Sequence, residues 1–249
     1  MNAGQSSQRY PFPWKTGLRL LWDALWLRSR SFRTDALDSL QALPNPKTII
    51  QKGLIPGDGP CLLVTNHYSR PGFGAWWIAL GISAALPVEV HWMMTNAWTH
   101  LGPLEGMSRW LFPRLARVYG FTSSPPMPPD PRDVGARVRA VRQVLDVSRC
   151  PGAVIALAPE GQDHPGGILG APPPGVGRFI TQLEKHCQRI VPIGVYEEGD
   201  YLTFNFGPAF ELDIDPLSAA DERDRDASQQ VMQFIAQQLP PRLRGDYNL

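Results

Sequence analysis

Excess charge is missing from this chain. Its 24 lysines and arginines face 23 acidic residues, for a net charge of +1. That removes any bulk electrostatic drive toward nucleic acid, so a basic patch has to be local. Cysteine is scarce too. Cys61, Cys150 and Cys187 form an odd set without metal-ligand spacing, so they are read as reduced thiols of a cytosolic setting, and no metal site is expected. The N-terminus lacks a basic segment followed by an apolar one, so no signal peptide is expected. Long apolar runs are also absent. The longest uncharged stretch, Pro71 to Val88, contains two prolines and three glycines and is read as a buried helix rather than a membrane span.

Nucleotide and hydrolase motifs are missing as well. Gly166-Gly167-Ile168-Leu169-Gly170 is not followed by the Gly-Lys-Ser/Thr of a phosphate-binding loop. No Gly-x-Gly-x-x-Gly follows the first strand, and no Gly-x-Ser-x-Gly elbow exists. Neither an aromatic-basic strip nor a known module supports nucleic-acid binding.

What is present is a chain of 27.7 kDa with 43% hydrophobic residues, enough for one sizeable α/β domain. Residues 1 to 13 read as loose. From Trp14 to Phe32, Leu18, Leu21, Trp22, Leu25 and Trp26 recur on one helical face, with Lys15, Arg19, Arg28, Arg30 and Arg33 around it and one acid, Asp23. An ordinary packed helix would fit this pattern. The paired tryptophans and the basic excess tip the reading toward a helix lying in a membrane interface. The expected division is therefore a tail and amphipathic helix over 1–46, and an α/β domain over 47–249.

A turn at Pro44-Asn45-Pro46 and a strand near Thr48 to Leu54 come next, then a tight turn at Pro56-Gly57-Asp58-Gly59-Pro60. The run Leu62-Leu63-Val64-Thr65 ends in Asn66-His67, before the breakers Pro71 and Gly72. This reads as a buried strand that leaves a histidine at its carboxyl end, the place where open α/β sheets usually do chemistry. A helix over about 73–86 and a strand from Val88 to Met94 follow, then a short helix carrying Trp110, Leu111, Leu115 and Ala116. Residues 123–131, rich in proline, read as a loop. A helix from about Asp133 to Ser148 is expected to bury Val134, Val138, Val141 and Leu145. Its Arg137, Arg139 and Arg142 are read as a solvated face rather than an anion site.

A second apolar run, Ala153 to Ala158, ends in Pro159-Glu160-Gly161. A Gly/Pro-rich loop, a helix from Val176 to Cys187, a strand from Ile190 to Tyr196, a hairpin at Glu197 to Asp200, a strand from Tyr201 to Phe206 and a tail helix from about Asp226 to Leu239 complete the chain. Alternating strands and helices predict a single-domain sandwich: a mixed, mostly parallel sheet flanked by helices. His67 is the leading candidate for chemistry, because a near-neutral imidazole can take a proton from a hydroxyl and return it. Glu160, at a matching strand end, could bind hydroxyls or help position the histidine.

The order of these parts resembles the lysophospholipid (glycerolipid) acyltransferase superfamily. Leu62-Leu63-Val64-Thr65-Asn66-His67-Tyr68-Ser69 resembles its first block, and Ile155-Ala156-Leu157-Ala158-Pro159-Glu160-Gly161 its third. Gly175-Val176-Gly177-Arg178-Phe179-Ile180 and Ile190-Val191-Pro192-Ile193-Gly194-Val195 resemble its fourth. Leu115-Ala116-Arg117-Val118-Tyr119-Gly120-Phe121 fits the segment before the second. The resemblance implies that a fatty acyl group is moved from acyl-CoA or acyl-carrier protein to a hydroxyl of a lysolipid or lipid alcohol. The protein would work peripherally at the cytoplasmic face of a membrane, with no cofactor beyond the thioester. His67 would be the general base, and Asn66, Ser69, Arg70, Gly72, Glu160, Gly161 and Gln162 would contact substrate.

The chain departs from the family pattern at three points. Gly72 stands where the first block has aspartate, Thr122-Ser123-Ser124-Pro125 takes the place of the second block's arginine, and Gln162-Asp163 follows Glu160-Gly161 where the third block has its own. Three readings remain open. In the first and favoured one, Asp163, Glu160 or Asp58 replaces the missing carboxylate and the acceptor is not a phosphomonoester. In the second, the chain is a non-catalytic lipid- or acyl-binding homologue that has lost the His-Asp dyad. In the third, a soluble α/β protein only looks similar, which the ordered series of blocks disfavours.

Overall fold

The computed structural model describes residues 10, 14–43, 45, 49–97, 103–127 and 130–248, with the side chains of 15, 103 and 104 left out. The expected loose segment therefore lies, apart from Tyr10, outside the described residues. So do Pro44 and Pro46 of the expected turn, and Thr48.

Seven strands form one sheet in the order β1-β7-β6-β2-β5-β3-β4. They are β1 (Ile49–Gly53), β2 (Cys61–Thr65), β3 (His91–Thr95), β4 (Thr122–Ser124), β5 (Val154–Leu157), β6 (Ile190–Glu198) and β7 (Tyr201–Phe206). All pairings are parallel except β6 with β7, the hairpin read from the sequence. β2 lies between β5 and β6, every one of its residues is buried, and its sequence Cys-Leu-Leu-Val-Thr is almost wholly apolar. A parallel strand covered on both faces requires that composition.

The helices are α1 (Trp14–Trp26), α2 (Phe32–Gln41), α3 (Trp76–Ala85), α4 (Pro103–Tyr119), α5 (Val134–Ser148), α6 (Val176–Cys187) and α7 (Ala220–Gln237). They cover both faces of the sheet. Val195 pairs with Phe204 across β6 and β7, so these two side chains share a face, and a Cβ added at Gly81 of α3 would meet the Phe204 ring. Neighbouring Gly194 points the opposite way, and a Cβ there would run into Gln238, just past α7. The α/β sandwich expected from the sequence is therefore a helix–sheet–helix arrangement.

Three local expectations need correction. The helix read over Trp14 to Phe32 ends at Trp26. Leu27 takes a left-handed conformation (φ 51°) and the Arg28 N–H bonds back to the Asp23 carbonyl at 3.0 Å, a helix-ending motif normally built on glycine. A second helix, α2, then follows, capped by Ser31 accepting from the Thr34 N–H at 3.0 Å. The proline-rich loop at 123–131 starts within the edge strand β4, which among the described residues pairs only with β3. On α5 the buried row is Ala140, Val144 and Ser148, whereas Val134 is 58% and Val138 43% exposed.

The α1–α2 junction is held by charge. Arg30 reaches both Asp23 and buried Asp35, Tyr119 donates to Asp35 at 2.8 Å, and the Arg30 N–H bonds the Val118 carbonyl at 2.9 Å. The carboxylate of Asp35 raises the Arg30 pKa further, and burial beside that same carboxylate pushes the Tyr119 phenol up.

Candidate active site

Parallel pairing of adjacent strands puts two loops side by side. Val64 of β2 is in register with Leu157 of β5. His67 and Glu160 each lie three residues beyond that pair, at the same edge of the sheet. The loops do meet: the His67 N–H donates to Glu160 Oε2 at 2.6 Å, and the Gly170 N–H to Glu160 Oε1 at 2.7 Å.

Glu160 is 1% exposed, and both of its oxygens accept from the backbone. Burial raises its pKa, while the two amides and the nearby His164 and His67 pull the other way. Asn66 works in the same manner on the opposite side. Its Nδ2 donates to the Val195 carbonyl at 2.8 Å and its Oδ1 accepts from the Val195 N–H at 2.7 Å. A side-chain amide thus extends the β2–β6 ladder by one rung, which fixes where His67 leaves the sheet. Both side chains were expected to touch substrate; their polar atoms are committed to the frame of the loops.

Replacing Glu160 with glutamine places an NH2 group against one of two buried backbone donors. Glu160→Gln is expected to lower unfolding stability by about 1–3 kcal/mol. The check is a fall in urea midpoint with an unchanged m-value.

A carboxylate from the β5 loop reaches His67. Asp163 Oδ1 lies 2.7 Å from His67 Nδ1, although Nδ1 is buried without a hydrogen bond of good angle. The contact is therefore a close approach set off the ring's N–H direction, a geometry that apo sites commonly tighten when substrate binds. The His67 side chain is 25% exposed and that of Asp163 63%. Burial lowers the His67 pKa, but Asp163, helped by Glu160, outweighs this and the net shift is upward. Asp163 is held below the usual carboxylate range by His67, against the effect of its partial burial, with further help from His164 and a Ser69 hydrogen bond. Of the other two candidates for this carboxylate, Asp58 is paired with Arg189 and Glu160 holds the backbone.

Arg70 of the first block pairs with Glu197, with Nη2 to Oε1 at 2.7 Å, and Tyr68 donates to the same carboxylate at 3.0 Å. Burial together with Glu197 pushes the Tyr68 phenol up to about 12. Gly72 has φ 78° and Gly161 φ 67°, left-handed values that glycine reaches without strain. Gln162 is exposed.

His164 escaped the sequence reading. Its Nε2 is buried without a hydrogen-bond partner, 3.9 Å from Glu160 Oε1. A Cβ on Gly170 would overlap its ring. The available signal was a second histidine four residues past Glu160 in the same loop.

No family model matches the chain, and no curated protein does either. Among solved structures, the chain is similar to the crystal structure of the 1-acyl-sn-glycerophosphate (LPA) acyltransferase, PlsC, from Thermotoga maritima. The two are 16% identical, the match covers 89% of this chain and 88% of that one, and the TM-score is 0.45.

Proposed function

We propose that the protein is an O-acyltransferase that moves a fatty acyl group from an acyl thioester to the hydroxyl of a lysolipid or lipid alcohol. The observation that carries this reading is the His67–Asp163 contact at the meeting point of the β2 and β5 loops. The four ordered sequence blocks support it. Asp163 favours the tautomer with the proton on Nδ1, which leaves the Nε2 lone pair as the base. Nε2 has no hydrogen-bond partner among the described residues.

In the reaction, Nε2 takes the acceptor's hydroxyl proton as the oxygen attacks the thioester carbonyl. The tetrahedral intermediate expels the thiolate, and the imidazolium returns the proton to it. An ester and a free thiol result, with His67 regenerated. The donor is acyl-CoA or an acyl-carrier protein. The first block's arginine, Arg70, is engaged by Glu197 rather than free for a phosphomonoester, which favours an acceptor without one. The discriminating experiment incubates one labelled acyl thioester with a panel of lysolipids and lipid alcohols. Ester product on at least one acceptor is expected; a label that stays on the donor or is only hydrolysed throughout favours a binding protein instead.

The proposed workplace is a membrane surface. No helix among the described residues is long and apolar enough to cross a bilayer, but α1 leaves Trp22 56% and Trp26 63% exposed, together with Leu18 and Leu25. Arg19 and Arg28 flank this face. An interfacial helix with cations beside its apolar stripe suits anionic lipid. Removing the whole segment would strip Arg30 from buried Asp35 and confound folding with binding, so point changes are preferable. Trp22→Ser/Trp26→Ser is expected to lose about 2 kcal/mol of lipid binding, roughly thirtyfold in partitioning. Co-sedimentation with phosphatidylglycerol-containing vesicles measures it, and undiminished sedimentation refutes the assignment.

A further inference from the structure

α5 carries valines where a buried stripe was expected, yet two of them face solvent. Val134, Val138 and Val141 line a groove of about 660 Å³ whose opposite wall includes Pro174, with Arg137 and Arg142 at its rim. Pro174 belongs to the long loop after β5, the same loop that supplies Glu160 and Asp163. The groove also borders the site from the other direction. Arg137 donates to the Met127 Sδ at 3.6 Å and to the Pro126 carbonyl at 3.3 Å, and Met127 packs 3.3 Å from where a Cβ on Gly161 would stand. One methionine thus bridges the groove-side arginine and the turn that follows Glu160.

Past Arg142 the surface dips again into a second concavity of about 430 Å³, which adds Arg139, Gln143 and Val147. Each hollow is also lined by one acid that pairs with an arginine outside the lining: Asp130 with Arg132 at 2.6 Å and Asp146 with Arg149 at 2.6 Å. Among the described residues, Arg139 and Arg142 have no carboxylate partner. Two uncompensated guanidinium groups over an apolar floor match an elongated ligand with a neutral arm and phosphates at its far end.

We infer that the grooves along α5 bind the phosphate-bearing arm of a coenzyme A thioester, which directs its acyl end past Met127 toward His67. The inference rests on the acyltransferase reading for the identity of the ligand, but its test does not need turnover. Arg139 and Arg142 would meet the nucleotide phosphates, and the valine floor would take the pantetheine arm.

The experiment is calorimetric titration of the full-length protein with free coenzyme A, with no acceptor present, at two salt concentrations. Wild type is expected to bind in a salt-sensitive manner. Arg139→Gln/Arg142→Gln is expected to weaken binding about ten- to hundredfold, and Lys52→Gln on β1, an exposed lysine at the sheet edge opposite β4, to leave it unchanged. Both double-variant positions are exposed, so an unchanged melting curve verifies the fold. If transfer is active, the KM for acyl-CoA should rise in the double variant while kcat holds. Undiminished coenzyme A affinity overturns the inference. So does loss of transfer from an acyl-carrier protein with coenzyme A binding intact, which would make the patch a protein dock. A protein that transfers nothing but binds coenzyme A through these arginines contradicts the proposed reaction and leaves this inference standing.

Discussion

His67→Ala is expected to cut acyl transfer at least about a thousandfold, within the range that a positioned general base contributes. Nothing nearby can take over. Glu160 has both oxygens on backbone amides, Asp163 is a weaker base held on the far side of the ring, and His164 Nε2 is buried beside Glu160. The fold should survive, because β2 is anchored by its ladders and by Asn66 rather than by the imidazole. A kcat/KM comparison between wild type and the alanine variant, at matched melting temperatures, reads the effect. Equal rates would remove the histidine from the chemistry.

Asp163→Asn is the second large effect, and it separates a positioning residue from mere surface charge. In a serine-enzyme triad, where the carboxylate is buried and in line, losing it costs about ten-thousandfold. Asp163 is more exposed and off line, so roughly a hundredfold loss is expected. The pH dependence gives a sharper readout. Asp163 raises the His67 pKa against the lowering effect of burial, so the acid limb of the wild-type profile should lie above the ordinary histidine value of about 6.5. With Asp163 replaced, burial prevails and the limb moves to lower pH.

Stability follows the same linkage, with smaller amplitude. A raised His67 pKa adds stability that is full below about 6.5 and fades as pH rises through the folded value; a lowered Asp163 pKa adds stability that fades as pH falls through its own. The cost of Asp163→Asn to folding should therefore be largest between these limits. With one partner well exposed, it should be no more than about 1 kcal/mol. A purely structural role would shift the melting curve without moving the pH limb.

The placement of the site was legible because β2 and β5 are short apolar runs broken at the same offset from their pairing, so the two loops had to share an edge once the strands became neighbours. The carboxylate was only half legible. Gly72 could be seen to break the first block, and Asp163 stood among the substitutes, but the choice needed the β2–β5 adjacency. The left-handed φ of Gly72 adds a physical reason: its backbone is one in which a side-chain-bearing residue is strained.

Other parts were hidden by chemistry that periodicity does not see. α2 buries Asp35 and Ser39, polar residues that set no apolar periodicity; Arg30 and Tyr119 satisfy the carboxylate, and the Asp35 carbonyl the Ser39 hydroxyl. α5 turns its small residues inward, Ala140 and Ser148 on either side of Val144, so Val134 and Val138, which opened the apparent stripe, were left outside. That reversal opens the groove. Asn66 and Glu160 sat where the motifs put them; what the sequence hid is that each binds backbone groups at the strand ends.

The most direct test of the account is the pH–rate profile of ester formation from labelled acyl-CoA on vesicle-borne acceptor, measured for wild type and Asp163→Asn. The account predicts ester product from wild type with an acid limb above about pH 6.5, and a slower variant whose limb lies lower. Absence of ester product from wild type, or two profiles that superimpose, would contradict it.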